Sequence, residues 1–364
     1  MLTGSYASDD VIFLLKDLSG IHIEKSLNER EQAIQKGVHY SEMLPVEYEP
    51  SAEYLELFYE SLHLYKQKVA VAVGTVAELI IEKKGQDIVL VSLARAGTPI
   101  GILIKRYLQM KYNLSVPHYS ISIIRGRGLD ENAMMHIVNA HPEKQITFID
   151  GWTGKGAISR ELTESVNIFN EKHGDVLDDE LAVLADPGHC SSLFGTREDF
   201  LIPSACLNST VSGLVSRTVL NSQWIGETDF HGAKVYNELQ DEDVSNYHID
   251  EIVSEFEAAV PLVAEAKLVL KESDMTPTWK GLHSIQSIQE NFGITDINLV
   301  KPGVGETTRV LLRRVPWKIL VKDIDNPRLK HIIQLAKERQ VAVEVYDQMS
   351  YTCCGLIKPL EPSV

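Results

Sequence analysis

The stretch Ile146-Thr147-Phe148-Ile149-Asp150-Gly151-Trp152-Thr153-Gly154-Lys155-Gly156-Ala157 decides the fold. Its first four residues make a short, mainly apolar run, the pattern of a strand buried on both faces of a parallel sheet. The strand ends in a carboxylate, and a Gly-rich loop then opens a helix predicted over 156–170. In open parallel sheets, ligands gather outside the carboxyl ends of the strands, where loop N–H groups and the helix dipole favour an anion. Thr153, Gly154, Lys155, Gly156 and Ala157 are therefore expected to bind phosphate, with Asp150 placed to accept hydrogen bonds from ribose hydroxyls. The loop is not of the Walker type, because Lys155 is followed by Gly156 and not by Ser or Thr.

Working upstream, Ile88–Val91 reads as a second buried strand. It leads through Ser92-Leu93-Ala94-Arg95-Ala96-Gly97-Thr98-Pro99 into a helix that runs to Met110. Ala94, Arg95, Ala96 and Gly97 form a second anion candidate, with Arg95 able to grip a phosphate in bidentate fashion. Residues 10–40 read as helical and 52–83 as one or two helices. Residues 119–124 and 181–184 read as strands. This alternation predicts an α/β fold, a mostly parallel sheet with helices on both faces. An amphipathic helix over 251–272 and a break at 273–277 precede a second pattern. Helices are expected there over 280–292, 304–314 and 327–339, with strands at 317–321 and 341–346. The domains are accordingly placed at 1–255 and 281–364, with 256–280 as helix and linker.

The chain has 364 residues, 35 basic and 51 acidic, for a net charge of −16, which argues against wholesale duplex binding. The charge is uneven: residues 301–364 hold 11 basic and 7 acidic residues, while 1–300 hold 24 and 44. That asymmetry points to two functions. The N-terminus lacks a basic region and a long apolar run, and no apolar run nears 18 residues, so a cytoplasmic protein without a membrane partner is expected. Cys190, Cys206, Cys353 and Cys354 include no Cys-x-x-Cys pair and read as reduced thiols.

The acid-tipped strand with Thr-Gly-Lys-Gly resembles the diphosphoribosyl-binding loop of type I phosphoribosyltransferases, and Leu93–Pro99 resembles their pyrophosphate loop. The strings Val91–Gly101 and Asp150–Ala157, with His39–Met43 and Ile202–Asn208, are similar to a bacterial phosphoribosyltransferase-like family linked to tellurite-resistance and stress operons. The chain departs from the usual pattern at Gly151, where a second acid is common. The resemblance implies phosphoribosyl diphosphate bound with Mg²⁺ near Asp150, and transfer to a base-like or RNA-linked acceptor. Arg95 would stabilise the leaving pyrophosphate, Arg125 and Arg127 would close as a mobile loop, and a hood over 186–237 would hold the acceptor through Asn208, Ser212, Arg217 and His231. Two alternatives stand beside it: a nucleotide-sensing RNA-binding regulator without turnover, and a cysteine peptidase. Relatives of the family are labelled cysteine protease-like, and the adjacent His189-Cys190 makes Cys190 the alternative nucleophile.

At the C-terminus, Val300-Lys301-Pro302-Gly303-Val304-Gly305-Glu306-Thr307-Thr308-Arg309 precedes an apolar-periodic helix. It resembles the Pelota-type RNA-binding module, a small α/β/α domain. That resemblance assigns RNA contacts to Lys301, Gly303, Gly305, Glu306, Thr307 and Arg309, with Gly305 in place of the usual Asn.

Overall fold

The computed structural model describes residues 1–358. The chain opens on a two-residue strand, β1 (Ile12–Phe13), and a nine-residue helix, α1 (Leu27–Gln35). Ser26 and Glu29 cap α1 reciprocally, each side chain meeting the other's backbone N–H. Most of the helix expected over 10–40 is therefore absent. Leu14, Leu15 and Leu18 are buried as extended chain along the sheet edge, where tertiary contact overrides helical spacing.

Residues 52–83 form one helix, α2 (Ala52–Lys84), which stops at Gly85 with φ +75°. The sheet then builds by strand–helix alternation: β2 (Ile88–Ala94), α3 (Gly97–Tyr112), β3 (His118–Ile124), α4 (Glu131–Ala140), β4 (Gln145–Trp152), α5 (Ala157–His173), β5 (Leu181–Ala185) and β6 (Leu193–Thr196). Asp130 caps α4 by accepting from the Ala133 N–H at 3.0 Å. The strand order is β1-β3-β2-β4-β5-β6, all parallel, with Gly128–Leu129 added antiparallel to β3. Val91 faces Tyr119 on one side and Phe148 on the other.

Alternate strand residues serve opposite faces. Leu90, Ile149 and Leu184 pack with α2 and α3, whereas Val91, Phe148 and Val183 pack with α4 and α5. The helix expected over 251–272 is two helices, α6 (Ser245–Val253) and α7 (Phe256–Glu272). At the break, the Ser254 hydroxyl donates to the Glu251 carbonyl at 2.7 Å. α7 lies along α2 at Gly74, where an added Cβ would sit 2.5 Å from Val263 Cγ2 and 2.7 Å from Tyr107 Cε2. Gly74→Ala is therefore expected to cost about 1–3 kcal/mol of stability by overpacking. The check is a lower urea midpoint with an unchanged denaturant slope.

The C-terminal domain contains α8 (Lys280–Phe292), β7 (Val300–Pro302), α9 (Gly303–Arg313), β8 (Pro316–Val321), α10 (Lys330–Glu338), β9 (Ala342–Val345) and β10 (Cys353–Ile357). Its sheet order is β7-β10-β8-β9, antiparallel except for the β8–β9 pair. β10, which the sequence pattern did not announce, is the inner strand on which α9 lies: a Cβ at Gly355 would meet Val310 at 3.1 Å. Among the described residues no helix is long and apolar enough to cross a membrane.

Candidate functional site

The strand ends of β2, β4 and β5 converge where sequence reasoning expected a phosphate cradle. The groups there are largely engaged within the protein. The Thr153 N–H donates to Ala185 O at 3.1 Å, and its hydroxyl donates to Asp186 Oδ1 at 2.5 Å. Lys155 Nζ donates to the Ile297 and Val300 carbonyls of the C-terminal domain, at 2.8 and 3.4 Å. Burial, with Lys301 and Arg125 nearby, lowers the Lys155 ammonium to about 8. Gly154 O accepts from the Tyr351 hydroxyl at 2.9 Å, and Gly156, at φ +72°, stands at the N-terminus of α5 before Ala157. The loop is thus a dock for the second domain.

Asp150 is buried. Its Oδ1 accepts from the Gly151 N–H at 2.7 Å, and burial raises the carboxyl to about 7. Asp150 alone would offer a Mg²⁺ one carboxylate, whose Oδ1 is already taken by the Gly151 N–H, where such sites draw on several oxygen ligands. Among the described residues, no three His, Cys, Asp or Glu side chains converge as metal ligands.

The turn after β5 builds a second polar cluster. Asp186 Oδ1 also accepts from the Cys190 N–H at 2.8 Å, while Oδ2 makes no hydrogen bond and faces Arg197 Nε at 3.5 Å. His189 adopts φ +52°, a conformation costly for a residue with a side chain, and its buried Nδ1 has no hydrogen-bond partner. Burial, then Arg197 and Lys280, hold His189 at about 4. The Cys190 thiol is buried, 3.4 Å from Gly188 O and 3.6 Å from Gly154 O. Burial, together with the Asp186 carboxylate, pushes it up to about 12. A strap closes over this turn. The Thr278 and Trp279 N–H groups both donate to His189 O, and Gly281 N–H donates to Gly188 O. The Trp279 ring lies over Gly156, where an added Cβ would meet Trp279 Cε3 at 2.8 Å and Cys190 Sγ at 2.9 Å. Arg197 fixes the approach to the strap by donating to the carbonyls of Asp274, Met275 and Thr276.

The domains also meet at Asp199. This buried carboxylate accepts from the Val304 N–H at 2.9 Å and the Thr352 N–H at 2.8 Å, and burial raises it to about 6. The latch buries the tip of α9. Gly303, at φ +84°, sits against Trp152, and Thr307 is fully buried. Lys301, Gly305, Glu306 and Arg309 instead line two adjoining interdomain cavities of about 570 and 710 Å³.

Arg95, Asn208 and Arg217 line both cavities, Ala94, Ala96 and Ser212 line the larger, and Gly97 packs against the end of β4. His231 is not part of these walls, because its Nδ1 is held 2.9 Å from the Ser122 hydroxyl and its N–H donates to Asp130. The loop expected to be mobile is pinned. Arg127 pairs with Glu42 at 2.6 Å, Arg125 lies over Tyr40, and the Gly126 and Gly128 N–H groups donate to Glu161. Asp199, Trp279 and Tyr351 escaped the sequence reading because each acts across 100 or more intervening residues or through main-chain partners.

Residues 4–253 match the family described as tellurite-like stress resistance cysteine protease StiP, and residues 279–359 match the Pelota RNA-binding domain. A relative named Cysteine protease StiP, from Acinetobacter baylyi, is 35% identical over 349 residues, covering 92% of this chain and 89% of the relative. These findings overturn the expected phosphoribosyl transfer: the family and the relative carry the name of a cysteine protease, a hydrolase, and neither is a phosphoribosyltransferase. With it fall the assignment of the enzyme as a glycosyltransferase and of phosphoribosyl diphosphate and a base-like acceptor as its partners. The chain belongs to the tellurite-like stress resistance cysteine protease StiP family and carries a C-terminal Pelota RNA-binding domain.

Proposed function

We propose that the chain is a thiol-dependent peptidase of the stress-resistance kind its family name describes, with Cys190 as the nucleophile, in a closed resting conformation. The observation that carries this reading is the place of Cys190. It follows β5 at the ligand-bearing end of a parallel sheet, its N–H held by a buried carboxylate, Asp186, and it is next in sequence to His189, whose Nδ1 is unpartnered. The other thiols lie in packed interiors. Cys206 faces the Ser61 hydroxyl at 3.7 Å within the α2 core, and Cys353 and Cys354 are fully buried in β10.

A thiol held at about 12 is protonated and unreactive, since the thiolate is the nucleophile. Lifting the strap at Thr278–Gly281 would hydrate Cys190 and lower that value. The thiol proton would pass to His189 as sulfur attacks a peptide carbonyl, and from His189 to the departing amine. Water would then release the acid and restore the thiol. The C-terminal domain supplies the cover and the RNA-binding module. Cys190→Ser is expected to abolish hydrolysis of a denatured-protein substrate, by at least about 10³-fold. Cys206→Ser is expected to keep it. Hydrolysis that survives Cys190→Ser would overturn the assignment.

A further inference from the structure

The interdomain cavity is strongly cationic in an acidic chain. Eight Lys and Arg side chains and three Glu line its narrower part, against a net charge of −16 for the whole protein. Three guanidiniums define its floor. Arg95, from the turn after β2, donates through Nη2 to Asn208 Oδ1 at 3.2 Å, and its buried Nη1 has no partner. Arg309, from α9 of the other domain, donates to the same oxygen at 2.8 Å. Arg217 lines both cavities, and the partner of Arg95 is a neutral amide, not a carboxylate. Two cations share one neutral amide oxygen with a third beside them, and among the described residues only Arg309 of the three has an ion-pair partner, Glu306 at 3.5 Å, so the cluster keeps a positive excess. Glu47 offsets part of it through space, acting on Arg95 and Arg217 alike, while its Oε1 accepts from the Ser209 N–H and hydroxyl at 3.0 and 2.7 Å.

Guanidinium forks match the oxygens of a phosphate, and a monoester carries nearly two charges where a diester carries one. The volumes are those of a small-ligand site. Tyr40 and Trp152, both half-buried, give an unstacked base aromatic walls in the wider part. Glu306 and Arg309 bring the RNA-binding module's own residues into the cavity wall.

We propose that this cavity is a composite site for the phosphomonoester of a ribonucleotide, gripped by Arg95 and Arg217 from one domain and Arg309 from the other. It is separate from Cys190 and stands or falls independently of the peptidase reading. The phosphate belongs to an RNA end or to a free nucleotide, and the two sources are separable.

The test uses the full-length chain and an internally labelled RNA 10-mer carrying a phosphate at its 5′ end, at its 3′ end or at neither, read by fluorescence anisotropy. A phosphorylated end is expected to bind about 10- to 100-fold more tightly than the unphosphorylated strand. Arg217→Gln should erase that preference at an unchanged melting temperature, whereas Lys337→Gln, on the exposed face of α10, should keep it. Displacement by adenosine 5′-monophosphate, but not by adenosine, at concentrations near the RNA's own Kd would assign the site to free nucleotides. Displacement only at concentrations above about 100-fold that Kd would assign it to RNA ends. Equal binding of all three strands with no competition by the monophosphate would overturn the proposal. So would displacement by a polyglutamate peptide as effective as that by the nucleotide.

Discussion

Asp199→Ala is expected to unlatch the C-terminal domain while leaving the parallel sheet folded. The substitution strands two buried backbone donors, the Val304 and Thr352 N–H groups, each at about 1–3 kcal/mol. Part of that cost is offset, because the carboxylate itself is uncomfortable where it lies, raised by burial to about 6. A net loss of docking free energy of about 2–4 kcal/mol follows. The measurement is limited proteolysis between residues 273 and 279 alongside small-angle X-ray scattering. Cleavage and radius of gyration matching the wild type would show the latch to be dispensable.

The same residue gives docking a pH dependence whose sign is fixed. Its closed-state pKa exceeds that of an exposed carboxyl, so the closed form binds the proton more tightly. Docking is therefore strongest below about pH 4 and loses on the order of 3 kcal/mol by pH 6, then stays flat as far as this group is concerned. The wild type's open population should rise between pH 4 and 6 by a margin that Asp199→Ala lacks.

Gly281→Ala should expose Cys190. A Cβ there would stand 2.7 Å from Gly188 Cα and 2.9 Å from Gly154 O, both main-chain atoms that cannot turn aside. The start of α8 must lift from the His189–Cys190 turn, with the loss of the Gly281–Gly188 hydrogen bond of 3.0 Å. Overpacking of about 1–3 kcal/mol corresponds to roughly a 5- to 150-fold larger open population. Iodoacetamide labelling of Cys190, followed by intact mass, should accelerate by that factor. Gly20→Ala, where an added Cβ meets nothing, is the control. An unchanged labelling rate would mean that the strap does not guard the thiol.

The parallel sheet was legible because β2, β4 and β5 are mostly apolar runs, and β2 and β4 are each followed by a helix that the spacing also announced. α9 and β8 were legible for the same reason. The N-terminal forty residues were not, because Leu14, Leu15 and Leu18 satisfy a helical period while tertiary contacts draw them out as extended chain. β10 was hidden because Cys353, Cys354 and Gly355 carry little strand propensity and owe their place to α9 above them. At the candidate site, local sequence located the loops after β2 and β4 and the strained turn at His189-Cys190. It could not reveal what fills them. Lys155 and Thr153 have the composition of anion ligands, yet one is spent on carbonyls 142 and 145 residues away and the other on Asp186. The arginines were legible only as separate loops, and folding gathers three of them around Asn208.

Seven residues, 273–279, separate the end of α7 from the start of α8, and α7 is itself packed against α2. Fully extended, such a tether spans about 25 Å. An RNA-binding module released from Asp199 would thus remain leashed at an effective concentration in the millimolar range. Recapture would be a first-order event indifferent to how much protein the cell contains, and each exposure of Cys190 would be brief and self-limiting.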